Sequence, residues 1–145
     1  MTDVATGFAS VRGLTYGGGY LWVTDNGNSV IYRVNPSDGT KTVVAGSVGV
    51  AGNVDGPATT TAQLDNPEQL VYLGGVLYFA DAKQVRSLNI ASATVTTLAG
   101  QYYVSGYANG TGTAVKFNPD KGDLGTDGKN LYFSDYNNWV VRKID

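Results

Sequence analysis

One segment of about 55 residues occurs three times along the chain, and this repeat constrains the fold more than any other feature. Each copy contains an apolar pentapeptide that ends in aspartate, and the three aspartates are spaced 56 and then 54 residues apart. An amide side chain follows each aspartate at the third position. The pentapeptides are Leu21–Asp25, Leu77–Asp81 and Leu131–Asp135, and the amides are Asn28, Gln84 and Asn138. Such a chain is expected to form an array of equivalent supersecondary units.

The residue types in the repeat predict strands. Glycine occurs 20 times and glutamate once, Thr, Val and Tyr are plentiful, and no window shows the apolar periodicity of a helix. Glycine and Asx residues at 17–19, 74–75 and 127–128 suit tight hairpin turns. We expect strands at about 11–16, 20–25, 30–34, 40–46, 69–73, 76–81, 85–90, 94–100, 122–126, 130–135 and 139–144. Four antiparallel strands per unit are typical of a β-propeller blade, so the predicted class is all-β.

Several motifs resemble the blades of NHL-repeat β-propellers. They are Phe117-Asn118-Pro119 and the segments 130–138, 141–145, 95–100 and 109–114. The resemblance covers nearly the whole chain from about residue 8. It implies a propeller fold and no particular function, because such propellers serve many unrelated roles. The middle unit departs from the pattern, since Ala82-Lys83-Gln84 replaces the usual Gly/Asn turn.

The repeat also predicts how the chain is organised and how it assembles. We expect one repeat domain, 1–145, with blade units at about 8–63, 64–116 and 117–145. The last unit lacks its outer strand, which the segment Met1–Phe8 of the same chain or a neighbour is a candidate to supply. Propellers close with about four to eight blades, and a three-blade array would leave apolar faces in water. We therefore predict a homo-oligomer, most simply a C2 homodimer with six blades, with a fragment of a larger protein as the main alternative.

The loops on one side of the array form the predicted binding face, which we call the loop face. The turns between the second and third strands of each unit share this face with two long crossings, at about 47–68 and 101–121. Insertions of this kind often build binding sites, and clustered tyrosine is typical of recognition surfaces. An equally weighted interpretation is that the tyrosines of the second crossing cover the core beneath their loop. The candidate partner-binding residues are Tyr102, Tyr103, Tyr107, Tyr136, Asn137 and Trp139.

The strand-end aspartates are interpreted as structural residues. An Asx side chain at the end of a strand commonly fixes its own turn by accepting hydrogen bonds from the turn. Calcium binding or catalysis by the three carboxylates is the alternative. The residues assigned to these turns are Asp25, Asp81, Asp135, Asn28 and Asn138.

Composition argues against several classes of function. The 145 residues include no cysteine and no histidine, so a thiolate nucleophile, a Cys-ligated zinc site and the commonest general base are missing. We predict no catalytic residues, no cofactor and no metal. A net charge of −2 without a basic block argues against nucleic acid, and no apolar run is long enough to span a membrane. Met1–Val4 does not resemble a signal peptide, and the compartment stays undetermined.

Three functions remain open from the sequence. The first, which we predict, is a non-enzymatic interaction or scaffold module that binds a protein, peptide or glycan on the loop face. The second is an engineered or natural propeller fragment with a purely structural or assembly role. The third follows from the resemblance, because relatives of this fold include zinc- or calcium-dependent lyases and hydrolases. Those sites typically use histidines, which this chain lacks, so a calcium site built from carboxylates is what remains of that option.

Overall fold

The computed structural model describes residues 1–118 and 122–144, and within these ranges the chain forms twelve strands and no α-helix. Two three-residue 3₁₀ turns, Asn26–Asn28 and Tyr136–Asn138, follow the first and third strand-end aspartates. The predicted all-β class is confirmed. Pro119 of the first NHL-like motif and Asp145 of the last lie outside the described residues.

The first blade is an antiparallel meander in which the spatial order of the strands follows the chain. Gly18 and Gly19 connect its first two strands with φ values of 61° and 86°. Glycine reaches this left-handed region without a steric penalty, so two residues suffice for the turn. The strands are β1 (Val11–Gly17), β2 (Tyr20–Asp25), β3 (Val30–Val34) and β4 (Lys41–Gly46).

The second blade has the same four-stranded meander and a fifth strand at its outer edge. Its strands are β5 (Gly56–Pro57), β6 (Pro67–Leu73), β7 (Val76–Asp81), β8 (Gln84–Asn89) and β9 (Thr94–Gly100). The additional strand, β5, belongs to the crossing that arrives from the first blade, and it pairs antiparallel with β9. No strand is predicted there from the sequence, because a two-residue strand that ends in proline has no periodic pattern.

The third blade contains three described strands in the order β10-β11-β12. They are β10 (Leu124–Thr126), β11 (Leu131–Asp135) and β12 (Val140–Ile144). Among the residues that the structure describes, no strand pairs with the outer edge of β12.

Strand register shows that the blades are structural copies of one another. Arg86 of β8 lies opposite Phe79, and Arg142 of β12 lies opposite Phe133. The outer strands β4 and β9 carry the same irregularity: one extra residue, Val44 in β4 and Leu98 in β9, precedes the last two pairs of each ladder. The four-stranded antiparallel blade predicted from the repeat is therefore confirmed, and the fold is that of a β-propeller.

The first two blades pack through a continuous apolar layer. Trp22 of the first blade stacks on Tyr72 of the second, with ring centroids 6.5 Å apart and planes 11° apart. The indole Nε1 donates to the carbonyl oxygen of Gly17 at 2.9 Å, so the polar edge of this buried ring is satisfied. Leu70 and Phe79 belong to the same layer. A second layer, with Val85 and Phe133 among its members, joins the second and third blades.

The N-terminal segment packs against the first blade. Ala5 and Phe8 contact the cluster formed by Val23, Val30, Tyr32 and Val34. The rings of Phe8 and Tyr32 meet edge to face at 5.5 Å. Met1–Phe8 was a candidate for the outer strand of the third blade, but in this chain the segment lies at the other end of the array. Supply of that strand by a neighbouring chain stays a prediction.

Substitution of Gly17→Ala is expected to destabilise the interface between the first two blades. A Cβ atom at this position would lie 2.1 Å from ring atoms of Tyr72, so the tyrosine or the strand must shift. Overpacking of this kind costs about 1–3 kcal/mol of unfolding free energy, measured by urea denaturation. Gly125→Ala is the control, because nothing lies within 4 Å of its added Cβ. Equal stability of both variants and the native chain would show that Tyr72 does not require a glycine at this contact.

Candidate binding surfaces

Asp25 joins the end of the N-terminal segment to the first blade. Its carboxylate accepts hydrogen bonds from the backbone N–H groups of Ala9 (2.9 Å) and Ser10 (2.8 Å). Asn28 Nδ2 donates to the same carboxylate at 2.8 Å. Burial acts to raise the pKa of Asp25, but these hydrogen bonds outweigh it and hold the pKa below its usual value.

Asp135 occupies the same position in the third blade. It accepts from the N–H of Asn118 at 2.7 Å and from Nδ2 of Asn138 at 2.8 Å. Asn138 also donates to the carbonyl oxygen of Gly106, in the crossing that arrives from the second blade. Asp135 and Asn138 therefore fix both their own turn and the incoming loop.

The second blade replaces the aspartate–amide contact with a buried ion pair. Arg86 NH1 donates to Asp81 Oδ2 at 2.6 Å, and neither side chain is more than 1% exposed. Burial raises the pKa of the Asp81 carboxyl to about 7, and the guanidinium of Arg86 opposes this rise. Asp81 also accepts from the N–H of Asp65 at 2.9 Å. The amide at the third position, Gln84, has a buried Oε1 that accepts no hydrogen bond from the described residues.

Arg86 also holds the crossing that arrives from the first blade. NH1 donates to the carbonyl oxygen of Gln63 at 2.8 Å. NH2 donates to the carbonyl oxygen of Val54 at 2.9 Å and to Asp55 Oδ1 at 2.8 Å. Four acceptors thus surround one fully buried guanidinium. We call Arg86 with these four acceptors the arginine clamp of the second blade.

Arg142 forms the corresponding clamp in the third blade. NH1 donates to Asp135 Oδ2 at 3.0 Å and to the carbonyl oxygen of Lys116 at 3.3 Å. NH2 donates to the carbonyl oxygen of Ala108 and to Asn109 Oδ1, both at 2.8 Å. The two long crossings are therefore folded back onto their blades in the same way.

Sequence reasoning missed both clamps. The available signal was the joint repetition of Asp55-Gly56 as Asn109-Gly110 and of Arg86 as Arg142. The first blade has Tyr32 at the position of Arg86 and Arg142, and a different cation, Lys41, binds the loop carbonyls there. There Lys41 Nζ donates to the carbonyl oxygens of Thr6 and Gly7 and lies 4.9 Å from the centre of the Tyr32 ring.

Tyr102 and Tyr103 lie on the loop face of the second blade. The hydroxyl of Tyr102 donates to Asp65 Oδ2 at 2.6 Å, and this bond is the main reason that the pKa of Tyr102 rises to about 12. The two rings are 4.8 Å apart, and the N–H of Tyr103 donates to the carbonyl oxygen of Ala82 at 2.9 Å. A cavity of about 160 Å³ opens beside Tyr103 and is lined by Asn66, Glu68, Asp81 and Lys83 among others.

The remaining candidate residues lie on the third blade. Tyr107 is exposed and its ring centre is 5.3 Å from the Arg142 guanidinium. Tyr136 and Asn137 are in the 3₁₀ turn, where the N–H of Asn137 donates to the carbonyl oxygen of Asn118. Trp139 follows with φ 59° and is 85% exposed, 6.1 Å from the Tyr136 ring. The six predicted binding residues therefore lie in two groups, one on the second blade and one on the third.

A larger groove of about 610 Å³ runs along the outer edge of β12. It is lined by residues 140–144 of β12, by Ala99 of β9, and by Tyr107, Asn109, Gly110 and Phe117 of the second crossing. Sequence reasoning did not predict this groove. Its position follows from the clamp, because Arg142 holds the second crossing in place beside β12.

Neither a metal cluster nor a membrane-spanning helix is found in the described part of the chain. Within residues 1–118 and 122–144, no three His, Cys, Asp or Glu side chains are placed to hold a metal ion. No helix within those ranges is long and apolar enough to cross a bilayer. The strand-end carboxylates accept hydrogen bonds from loop N–H groups and from Asn28, Asn138, Arg86 and Arg142.

No protein-family model matches the chain, and no curated protein matches it. Solved structures do. An auxiliary nutrient binding protein from Bacteroides ovatus ATCC 8483 is 27% identical with a TM-score of 0.74, over 91% of this chain and 36% of that one. A protein of unknown function from Bacteroides thetaiotaomicron VPI-5482 is 25% identical with a TM-score of 0.73, over 86% and 32%. A structure from the nidogen/laminin complex is 18% identical with a TM-score of 0.61, over 97% and 48%, and supports the fold alone.

These neighbours are β-propeller proteins, in agreement with the blades described above. The chain spans about a third of the length of the two Bacteroides structures.

Replacement of Arg86 by methionine is expected to destabilise the chain by about 3–5 kcal/mol in urea denaturation, because it removes the ion-pair partner of the buried Asp81 carboxylate and the bonds that tie the first crossing to the blade. The exposed Arg12 supplies the control. Arg12→Met is expected to change stability by no more than about 0.5 kcal/mol. Similar small losses in both variants would contradict the clamp.

Acid is expected to destabilise the chain partly through Asp25. Its pKa is lower in the folded chain than the unfolded value of 3.8, so the folded state binds fewer protons than the unfolded state around and below that pH. The stabilisation is complete well above pH 4 and is lost as the pH falls through the folded pKa. Urea denaturation of Asp25→Asn should show a lower stability at pH 7 and a shallower decline below pH 4 than the native chain. Parallel pH profiles would contradict this assignment.

Proposed function

We propose that the chain is a non-enzymatic binding or scaffold module: a three-blade part of an NHL-like β-propeller. In this proposal it pairs with a second copy to close a six-blade ring and presents its loop face to a partner. The observation that carries the proposal is the difference in exposure between equivalent residues inside the array and at its two ends.

We call the side of a blade that packs against the preceding blade its leading face, and the side that packs against the following blade its trailing face. The leading face of the first blade is exposed to solvent at β1. Leu14 is 60% exposed, whereas the equivalent Leu70 of the second blade is 4% exposed and packs against the first blade. Tyr16 is 65% exposed, whereas the equivalent Tyr72 stacks on Trp22. The first blade thus presents the same side chains that form an interface one repeat later.

The trailing face of the third blade is likewise more exposed than the trailing faces of the first two blades. Val141 is 75% exposed, whereas the equivalent Ile31 and Val85 of the first two blades are fully buried against the following blade. A leading face and a trailing face of this kind already pack together twice within the chain. Two copies related by a two-fold axis bring each leading face against the trailing face of the partner.

The loop face supplies the surface for a further partner. Tyr102, Tyr103, Tyr107, Tyr136 and Trp139 are all exposed there. Trp139 has a left-handed backbone, as Ser29 has at the equivalent turn position of the first blade, and its side chain is 85% exposed. The solved neighbour described as an auxiliary nutrient binding protein supports a binding role on the same fold. A protein, peptide or glycan is compatible with this surface.

A non-enzymatic role is supported by how the acidic residues are used. The chain contains no histidine and no cysteine, and Asp25, Asp81 and Asp135 bind loop N–H groups and neighbouring side chains. A Ser or Tyr nucleophile would therefore lack its usual base.

One observation favours a second candidate, a part of a longer propeller. The solved neighbours are about three times as long as the part of them that this chain covers. In that case, the partner blades belong to the same polypeptide.

Light scattering after gel filtration separates the two candidates. Ring closure predicts a stable mass of about twice 15.2 kDa over a dilution series. Val141→Asp should convert this species to a folded monomer, because it places a carboxylate in the apolar junction between copies. Val48→Asp on the exposed loop face should leave the mass unchanged. A folded native chain that stays monomeric at all concentrations would refute self-closure and favour the longer propeller.

A further inference from the structure

The second blade has a shorter turn after its strand-end aspartate than the other two blades. Four residues, 26–29 and 136–139, connect the second and third strands of the first and third blades. In the second blade Ala82 and Lys83 alone make this connection, with φ values of 46° and 69° that are typical of a two-residue hairpin turn. The second blade therefore has a compact hairpin turn where its neighbours carry a 3₁₀ turn on the loop face.

The cavity of about 160 Å³ beside Tyr103 lies where the other blades carry this 3₁₀ turn. In the first blade the N–H of Asn26 donates to the carbonyl oxygen of Ser10 at 2.9 Å, so the turn covers the segment that leads into the blade. The equivalent segment of the second blade contains Asn66, which lines the cavity together with both turn residues. The described lining residues belong to the second blade and to the crossings before and after it, so the cavity is internal to the array.

The turn that carries Tyr103 does not account for its side chain. Both crossings begin with the same tight turn, at 47–50 and 101–104, in which the N–H of the third residue donates to a carbonyl oxygen of the blade's own hairpin turn. This third residue is Gly49 in the first crossing, with φ 74°, and Tyr103 in the second, with φ 54°. Glycine adopts this left-handed conformation freely, whereas a bulky residue is disfavoured there. The ring is 52% exposed, so the core does not require it either. Tyr103 is therefore a candidate for contact with a ligand.

Tyr102 holds the aromatic wall of the cavity in place. Its hydroxyl donates to Asp65 Oδ2 at 2.6 Å, which joins the second crossing to the first across the loop face of the blade. The ring of Tyr103 packs on that of Tyr102, with centroids 4.8 Å apart and planes 57° apart. A ligand that meets Tyr103 therefore finds a ring whose support is already formed, which lowers the entropic cost of binding.

The other walls are polar and are also held by the protein. Asn26 Nδ2 of the first blade donates to Asn66 Oδ1, and Asn66 Nδ2 donates to Glu68 Oε1 at 3.2 Å. Lys83 Nζ donates to Ser105 Oγ of the second crossing. A carboxylate accepts up to about four hydrogen bonds and an ammonium group donates three. Glu68 and Lys83 can therefore each bind a ligand hydroxyl alongside their protein partners.

The charges around the cavity favour a neutral ligand. Glu68 and Asp81 are matched by Lys83 and by Arg86, whose guanidinium lies 2.6 Å from the Asp81 carboxylate. An anion would face the two carboxylates and a cation would face the two basic groups. Hydroxyl groups both donate and accept, so a neutral polyol suits both kinds of group. The volume suits one hexose unit and is below the roughly 300–1,000 Å³ of sites for drug-sized ligands.

We propose that this cavity binds one pyranose unit of a sugar, with a face of its ring against Tyr103 and vicinal hydroxyls that donate to Glu68 and accept from Lys83. The proposal rests on the binding role proposed above for the loop face and names the ligand class. A pyranose has C–H-rich faces that pack on an aromatic ring and hydroxyls at its edge, which matches one aromatic wall and polar side walls. A free monosaccharide and the terminal unit of a glycan present the same chemistry.

Isothermal titration calorimetry and ligand-observed NMR with methyl pyranosides of common hexoses, pentoses and N-acetylhexosamines test the proposal. The native chain should bind at least one of them saturably. Tyr103→Gly should weaken this binding by about tenfold through loss of the aromatic contact. The variant should stay folded in thermal denaturation, because the first crossing makes the same turn with Gly49. The matched control, Gly49→Tyr with Tyr103→Gly, has the native composition and should bind as weakly as Tyr103→Gly alone.

A second pair of variants tests the polar wall. Glu68→Gln keeps the shape of the side chain and removes its charge, so it should weaken sugar binding by about tenfold, as expected for a charge-assisted hydrogen bond. Asp3→Asn removes a carboxylate from the exposed N-terminal segment and should leave the affinity unaltered. Equal affinity for a free sugar and its methyl glycoside indicates the terminal unit of a glycan, whereas preference for the free sugar indicates a monosaccharide.

Three outcomes would overturn the proposal. One is the absence of saturable binding across the panel at tens of millimolar sugar. Another is equal affinity of the native and Tyr103→Gly chains, which would show that the sugar binds elsewhere. The third is a saturable response to a free amino acid or a short peptide with none to the sugars. Ring closure is measured separately from the solution mass, so each of these results leaves the test of the proposed function intact.

Discussion

A guanidinium buried between a strand-end carboxylate and two loop carbonyls is the interaction on which the rest of the structure depends. Removing Arg86 from water is costly, and the cost is offset because Asp81, Asp55 and two carbonyl oxygens accept hydrogen bonds from its guanidinium in the folded chain. The same contacts add a second donor to the carbonyl oxygens of Val54 and Gln63, which also accept from each other's N–H groups, and so tie the crossing to the blade. The clamp thus holds a long crossing against its blade, and in the third blade it holds the crossing beside the groove that β12 lines.

The strands could be predicted from the sequence because their signals are local. Apolar alternation ending in aspartate, followed by a glycine or amide turn, located β2, β3, β7 and β9 to within a residue or two. The clamps could not be predicted in this way, because Arg86 meets Asp55 across 31 residues and Gln63 across 23. Nothing in a strand pattern specifies which loop carbonyl folds back over it. For the same reason, the two-residue strand β5 was missed.

The candidate binding residues illustrate the same limit. Their location on loops followed from the chain topology, but their grouping did not. Tyr102 and Tyr103 are adjacent to Asp65 and Ala82 of the second blade, whereas Tyr107 lies over Arg142 of the third. Three tyrosines within six residues therefore contribute to two separate surfaces. Between the two groups, Asn138 of the third blade donates to the carbonyl oxygen of Gly106, so the crossing has reached the third blade before Tyr107.

The order of the clamp residues along the chain has a consequence for synthesis. Every acceptor of Arg86 and of Arg142 precedes its arginine in the sequence, and Lys41 likewise follows the carbonyls of Thr6 and Gly7 that it binds. When a chain emerges from the ribosome, the loop is therefore available before the cation that fixes it. Each blade can close onto polypeptide that has already been made, so the array can grow one blade at a time in the direction of translation.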